Sequence, residues 1–368
     1  MSLRYDQVLF FVQSLCRGLR LTRQRNLALL ALGISRLPDG HLTLSEIARG
    51  IPGHSDHWQK LKRLQRFVAS PKWSPQDLFP GMLRYLLTRF CVGRYLPVII
   101  DQSTLAGRWE MLWAAIPCRG RALPIAFRLF TYQDIQESRE RSQNRIEEEF
   151  VRQVVTMLPE PSRAVLLFDR GYARVSLFRL LEGLGVCYVV RLKRDAWVEQ
   201  GTRYRGCLRD IAVERGVRLW WPGVLYHQTA RYRLNLAITR NATAEEPWYL
   251  ATNLRRAETA VRHYEMRFRC EELFRDLKDQ LHLETIRLHV QHPERVAKLL
   301  LGLMVLYDVL TLIGAEVQKR GLRRKICRSR VSLVFLGLRA LRMPWQLSEE
   351  RLLEALFRSR WSLSYESG

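Results

Sequence analysis

Hydrophobic and polar positions change period along this chain. From residue 1 to about 90 apolar residues recur at helical spacing. The opening MSLRYDQVLFFVQSLCRGLR predicts a short amphipathic helix. Thr43 to Arg49 predicts another, which Gly50-Ile51-Pro52-Gly53 breaks. A third helix starting near Ser55 would place Trp58, Leu61, Leu64 and Phe67 on one face. Lys60, Lys62, Arg63 and Arg66 would then occupy the other faces. This pair has the outline of a helix-turn-helix with a basic second helix. Such an outline serves either DNA contact or plain packing, and both readings stand.

Short continuous apolar runs follow, the mark of buried strands. Tyr95 to Ile100 (YLPVII) ends at Asp101, and Ala164 to Phe168 (AVLLF) ends at Asp169. Between them, Arg108 to Ile116 and Leu123 to Phe130 complete a three-strand meander around the turn Cys118-Arg119-Gly120-Arg121. Asn144 to Leu158 predicts a helix. Arg170-Gly171-Tyr172 turns into a further helix ending near Gly185, and Val186 to Leu192 predicts another strand. The order is strand-strand-strand-helix-strand-helix-strand, an α/β pattern. Residues 193–246 alternate in the manner of strands, as in Tyr232, Leu234, Leu236 and Ile238. Trp248 to Thr252 (WYLAT) predicts a strand returning to the main sheet. The apolar stretch Val296 to Val317 is interrupted by Lys298 and Asp308, which favours a core helix over a membrane span. A basic segment (Lys319, Arg320, Arg323, Arg324, Lys325, Arg328, Arg330) comes next, either a DNA contact or a solvated face. Short amphipathic helices end the chain.

Charge narrows the partner. Lys and Arg number 60 against 36 Asp and Glu, a formal net charge of +24. That excess suits a polyanion, nucleic acid first. No basic amphipathic anchor, lipidation signal or signal peptide is apparent, so no membrane partner is expected. The seven cysteines form no CxxC pair, which predicts reduced thiols in a cytosolic protein and no zinc site.

Candidate chemistry concentrates in Tyr264 to Lys278 (YEMRFRCEELFRDLK). Drawn as one helix of about 100° per residue, Tyr264, Arg267, Glu271 and Lys278 share a stripe about 60° wide. Met266, Cys270, Leu273, Phe274, Leu277 and Leu281 form the adjoining apolar arc. Glu272 and Asp276 point away from the stripe. Asp101 and Asp169 at strand ends could each be a turn or helix cap. Together with Glu271 they make a hard-oxygen set suited to Mg²⁺, with Mn²⁺ able to substitute. Metal ions held by such a set can activate a hydroxyl and stabilise the leaving oxygen of a phosphodiester. The flanking cations would clamp phosphates. The eight histidines show no ligand or triad spacing, and His263 is expected near a helix N-terminus.

Tyr264, Arg267, Glu271 and Lys278, at spacings of two, three and six intervening residues, resemble the Y-R-E-K signature of the bacterial cut-and-paste DDE transposases of the insertion sequence four family. The resemblance spans about residues 95–317. It implies an RNase H-like core with Asp101 (IIDQST), Asp169 (LLFDRGYA) and Glu271 as catalytic metal ligands. It also implies that Tyr264, Arg267 and Lys278 contact transposon-end phosphates and that Arg191 holds the end DNA. Trp248 is similar to the aromatic on which a flipped base stacks; a core tryptophan is the alternative, as a surface position is for Arg191. The expected domains are 1–92, helical and DNA-binding through Lys60, Arg63 and Arg66; 93–192 and 247–318, the two parts of the core; 193–246, a β-rich insertion; and 319–368, a basic helical C-terminal region.

The expected activity is metal-dependent cleavage at terminal inverted repeats and strand transfer into target DNA, through a hairpin on the family resemblance alone. A homodimer holding two ends is implied, in the cytoplasm and associated with the nucleoid. An RNase H-like nuclease and a catalytically inactive DNA-binding repressor are the rival readings.

Overall fold

The computed structural model describes residues 5–16, 18–37, 41–91, 93–136, 142–241, 245–286, 292–327, 329, 331–342, 355–358 and 361–362. It is a mixed α/β structure with one large mixed sheet and many helices. Five helices come first: α1 (Tyr5–Leu15), α2 (Leu21–Ser35), α3 (Leu44–Gly50), α4 (His57–Ala69) and α5 (Phe79–Arg89). Thr43 caps α3 by accepting from the Glu46 N–H, and Asp56 caps α4 by accepting from the Gln59 N–H. The buried face of α4 is Leu64, Phe67 and Val68. Trp58 does not share it. Its side chain is 61% exposed, beneath the Lys62 ammonium, so the expected packing face is corrected there.

The short strand β1 (Phe90–Cys91) pairs in parallel with β12 (Trp361–Ser362) near the end of the chain. The main sheet is built from β2 (Leu96–Leu105), β3 (Trp109–Cys118), β4 (Arg121–Phe130), β5 (Ala164–Phe168), β6 (Cys187–Arg191), β7 (Trp197–Gln200), β8 (Tyr204–Cys207), β9 (Arg218–Tyr226), β10 (Tyr232–Thr239) and β11 (Trp248–Thr252). Their spatial order is β4-β3-β2-β5-β6-β11-β10-β9-β7-β8. β2, β5 and β6 run parallel and every other neighbouring pair is antiparallel. Every residue of β3 is buried, with the helices Gln143–Met157 and Arg269–Asp279 packed against it. The strands of residues 193–246 continue the main sheet through β11; they do not form a sheet apart from it.

Between the strands lie α6 (Tyr132–Gln136), α7 (Gln143–Met157) and α8 (Val175–Gly183). After β11 come α9 (Ala257–Glu265) and α10 (Arg269–Asp279), joined by a 3₁₀ turn, Met266–Phe268. The stretch expected as one helix is therefore two. α9 packs on β5, β6, β10 and β11, whereas α10 packs on β2, β3 and β4. The turn between them thus lies over the centre of the sheet. α11 (Pro293–Lys319) is long and apolar enough to cross a membrane, yet its apolar window is wholly buried inside the protein. It packs on α2, α4, β4 and α13 (Leu333–Arg342), after the short α12 (Arg323–Ile326). Lys298, buried in α11, donates to the Ser70 carbonyl at 2.5 Å with its ammonium over Trp73, tying the first helices to the core. Gly314 and Gly337 allow α11 and α13 to meet backbone to backbone. A Cβ on Gly314 would stand 1.9 Å from the Leu333 carbonyl oxygen. Of the basic segment, Arg328 and Arg330 lie outside the described residues.

Candidate active site

Two carboxylates are set by strand register. β2 and β5 are parallel neighbours paired from Leu96↔Ala164 to Ile99↔Leu167. Carried two residues further, to the residue just past the end of β5, the same offset brings Asp101 opposite Asp169. Adjacent strands are about 4.8 Å apart and residues in register share a face. The two Asp side chains therefore stand side by side. Asp101 itself is not at a strand end, since β2 runs on to Leu105 beside β3. Asp169 does follow the last residue of β5.

The turn between α9 and α10 reaches Asp101, and the end of α9 reaches Asp169. Arg267 Nη1 donates to Asp101 Oδ2 at 3.0 Å and Nη2 to Glu271 Oε1 at 2.7 Å. One guanidinium thus joins the β2 carboxylate to the α10 carboxylate. Tyr264 donates its hydroxyl to Asp169 Oδ1 at 3.4 Å and lies beside Arg191. Burial graduates across the group: the Arg267 side chain is 7% exposed, Asp101 14% and Glu271 51%. Burial pushes the Asp101 carboxyl up to about 6. Arg267 and the Gln102 N–H, which donates to Asp101 Oδ1 at 2.9 Å, oppose the shift, and the neighbouring Asp169 and Glu271 add to it. Burial also raises the Tyr264 hydroxyl.

The other acids of α10 face elsewhere. Asp276 Oδ2 is 2.8 Å from Arg121 Nε, and Glu272 is held by Arg121 at 3.0 Å and Arg275 at 2.6 Å. Lys278 reaches Glu284 at 3.0 Å rather than the Asp pair. Trp248 is half-buried, stacked on Phe268 with ring centroids 5.4 Å apart and edge-on to Tyr264 at 5.2 Å. Phe268 completes this aromatic cluster, and its spacing of four from Tyr264 is the signal for it in the sequence. Arg191 is 3.8 Å from Glu246 and lines a cavity of about 310 Å³ with Arg170, Lys193, Arg194, Arg209 and Arg240. His263 sits at the end of α9, not the start. It is buried, with Nδ1 2.7 Å from the Thr259 carbonyl, and burial lowers its pKa.

Lys60, Arg63 and Arg66 belong to a different surface. With Arg23 and Asn26 of α2 they line a cleft of about 560 Å³ floored by Leu29, Phe67 and Trp73, and Arg63 Nε donates to Asn26 Oδ1 at 2.6 Å.

The donor chemistry of Asp101, Asp169 and Glu271 suits a hard divalent cation. Among the described residues, however, no three His, Cys, Asp or Glu side chains are disposed around one point as a metal site. Among the described residues, the cation paired with Asp101 and Glu271 is the Arg267 guanidinium.

Residues 126–308 match the family model described as the transposase DDE domain. The match covers just under half of the chain. It begins within β4, after Asp101, and takes in Asp169, Arg191, Trp248, Tyr264, Arg267, Glu271 and Lys278. No curated protein matches the sequence. The matched domain and the mixed α/β sheet support a transposase, an enzyme that acts on DNA.

Proposed function

We propose that the protein is a cut-and-paste DNA transposase of the insertion sequence four type, with Asp101, Asp169 and Glu271 as its catalytic carboxylates. The register of Asp101 with Asp169 across β2 and β5, with Glu271 linked to Asp101 through Arg267, carries this reading. These three would hold Mg²⁺ or Mn²⁺, which would supply electrostatic stabilisation to the attacking and leaving oxygens of a phosphodiester. Tyr264, Arg267 and Lys278 orient end phosphates, and Arg191 secures the adjoining strand through its cationic cavity. Water attacks the phosphorus, the P–O3′ bond breaks and a 3′-hydroxyl is freed. That hydroxyl attacks a phosphorus of the opposite strand, displacing the 3′-oxygen of the flanking DNA and closing a hairpin; water attacks the hairpin phosphorus and frees the 3′-hydroxyl again; and this hydroxyl attacks a target phosphorus, with the target's 3′-oxygen as leaving group. Trp248, already part of an aromatic cluster with Tyr264 and Phe268, offers a face to the base displaced at the hairpin. Lys60, Arg63 and Arg66 bind DNA outside the catalytic group. Two inverted-repeat ends held by a homodimer, on the nucleoid, complete the reading.

Purified protein incubated with Mg²⁺ and DNA carrying the repeats that flank its gene tests the proposal. Excision with insertion supports it. Cleavage without insertion means a nuclease, and binding without cleavage means a repressor.

A further inference from the structure

The Arg267 guanidinium occupies the ground between two of the three carboxylates. It makes two ion pairs, at 3.0 Å to Asp101 and 2.7 Å to Glu271, with its side chain 7% exposed. Its Nε is buried with no hydrogen-bond partner, and the guanidinium plane lies near the Phe268 ring, 5.0 Å from its centroid. Arg267 takes one oxygen of each carboxylate, Asp101 Oδ2 and Glu271 Oε1, and a divalent cation drawing on those same oxygens would have to displace it. Three carboxylates at the edge of a core are a repulsive cluster without a cation, and Arg267 supplies one from within the chain.

Resting on the reading of Asp101, Asp169 and Glu271 as a metal-binding group, we propose that Arg267 is a tethered counter-ion that competes with the divalent cation. Metal entry and release of Arg267 from Asp101 and Glu271 are then a single exchange. Glu271 is half-exposed, so its side of the exchange opens to solvent, whereas the Asp101 contact is the sheltered one. On the same reading, the released guanidinium would be free to pair with an end phosphate. By linkage, whatever holds Arg267 elsewhere tightens the metal, and the metal tightens whatever holds Arg267. Lys278 does not take part in this way, because its ammonium is paired with Glu284.

Mn²⁺ binding to the full chain without DNA, read by electron paramagnetic resonance titration, tests this without reference to activity. Arg267→Gln removes the competitor and should bind Mn²⁺ at least about tenfold more tightly than the parent, within the usual range of coupling. Arg267→Lys keeps the charge but cannot span two carboxylates, and should fall between them. Arg275→Gln removes a cation from the outer face of the same helix and should change Mn²⁺ affinity by less than about twofold, which separates competition from a general loss of positive charge. If Arg267→Gln does not fold, the Arg267→Lys comparison decides alone. Unchanged or weakened Mn²⁺ binding in folded Arg267 variants, beside measurable binding by the parent, overturns the counter-ion while leaving the metal group standing. A gain in Arg275→Gln equal to that in Arg267→Gln overturns it too. No Mn²⁺ bound by any variant at millimolar concentration overturns both.

Discussion

Replacing Arg121 with alanine should loosen the helix that carries Glu271. Arg121 begins β4, and its guanidinium holds two acids of α10: Asp276 at 2.8 Å and Glu272 at 3.0 Å. The Asp276 side chain is 5% exposed and that of Arg121 18%. Without Arg121, Glu272 keeps Arg275 on the surface, but among the described residues Asp276 keeps only the Ser332 hydroxyl. Removing one partner of a fully buried ion pair costs about 3–5 kcal/mol, and the partial exposure of Arg121 brings the expectation to about 2–3 kcal/mol. Burial already raises the Asp276 carboxyl above its ordinary range, with Arg121 opposing that shift, so its loss raises the carboxyl further. A carboxyl with a higher pKa folded than unfolded destabilises the fold where it is ionised. Stability is therefore lost as pH rises from the unfolded value through the folded one. The deficit of the variant should be small near about pH 4 and full at neutral pH. Urea unfolding at both pH values measures it. Arg121→Met combined with Asp276→Leu removes both charges of this pair and should recover most of the loss. An Arg121→Ala protein as stable as its parent at neutral pH, or a deficit that grows as pH falls, would refute the reasoning.

Further outcomes are expected elsewhere in the molecule. Gly314→Ala should force α11 and α13 apart, because its Cβ would meet backbone rather than a movable side chain; a thermal melt should show a clear drop, and an unchanged melt would mean the two helices do not pack as described. Trp248→Ala should impair hairpin formation more than first-strand nicking on a gel, whereas equal loss of both would give Trp248 a packing role only. Neutralising Lys60, Arg63 and Arg66 together should weaken binding of duplexes of any sequence and flatten the dependence of log affinity on log salt by up to about three phosphate contacts, read by fluorescence anisotropy.

Much of the fold was written in the local pattern. YLPVII and AVLLF are continuous apolar runs, and they and WYLAT mark strands of the central sheet. The apolar arc of Met266, Cys270, Leu273, Phe274, Leu277 and Leu281 is buried throughout. What the pattern misses has physical causes. Gln102, Ser103 and Thr104 are polar, so β2 appears to stop at Asp101, but pairing with β3 carries it to Leu105. A three-residue 3₁₀ turn barely disturbs angular periodicity, so α9 and α10 look like one helix. Trp58 lies at the start of α4, beyond the span that packs, and an apolar residue there need not be buried. The place of Arg267 depends on three elements meeting, which no spacing along the chain encodes. The same is true of the continuity between residues 193–246 and the main sheet.

The most direct test of the central claim is cleavage of DNA carrying the flanking repeats, in Mg²⁺, by the parent and by Asp101→Asn, Asp169→Asn and Glu271→Gln, with DNA binding measured alongside. The account predicts that the parent cuts, while each variant binds the ends and leaves them intact. Cutting at the parental rate by any one of the three would contradict it.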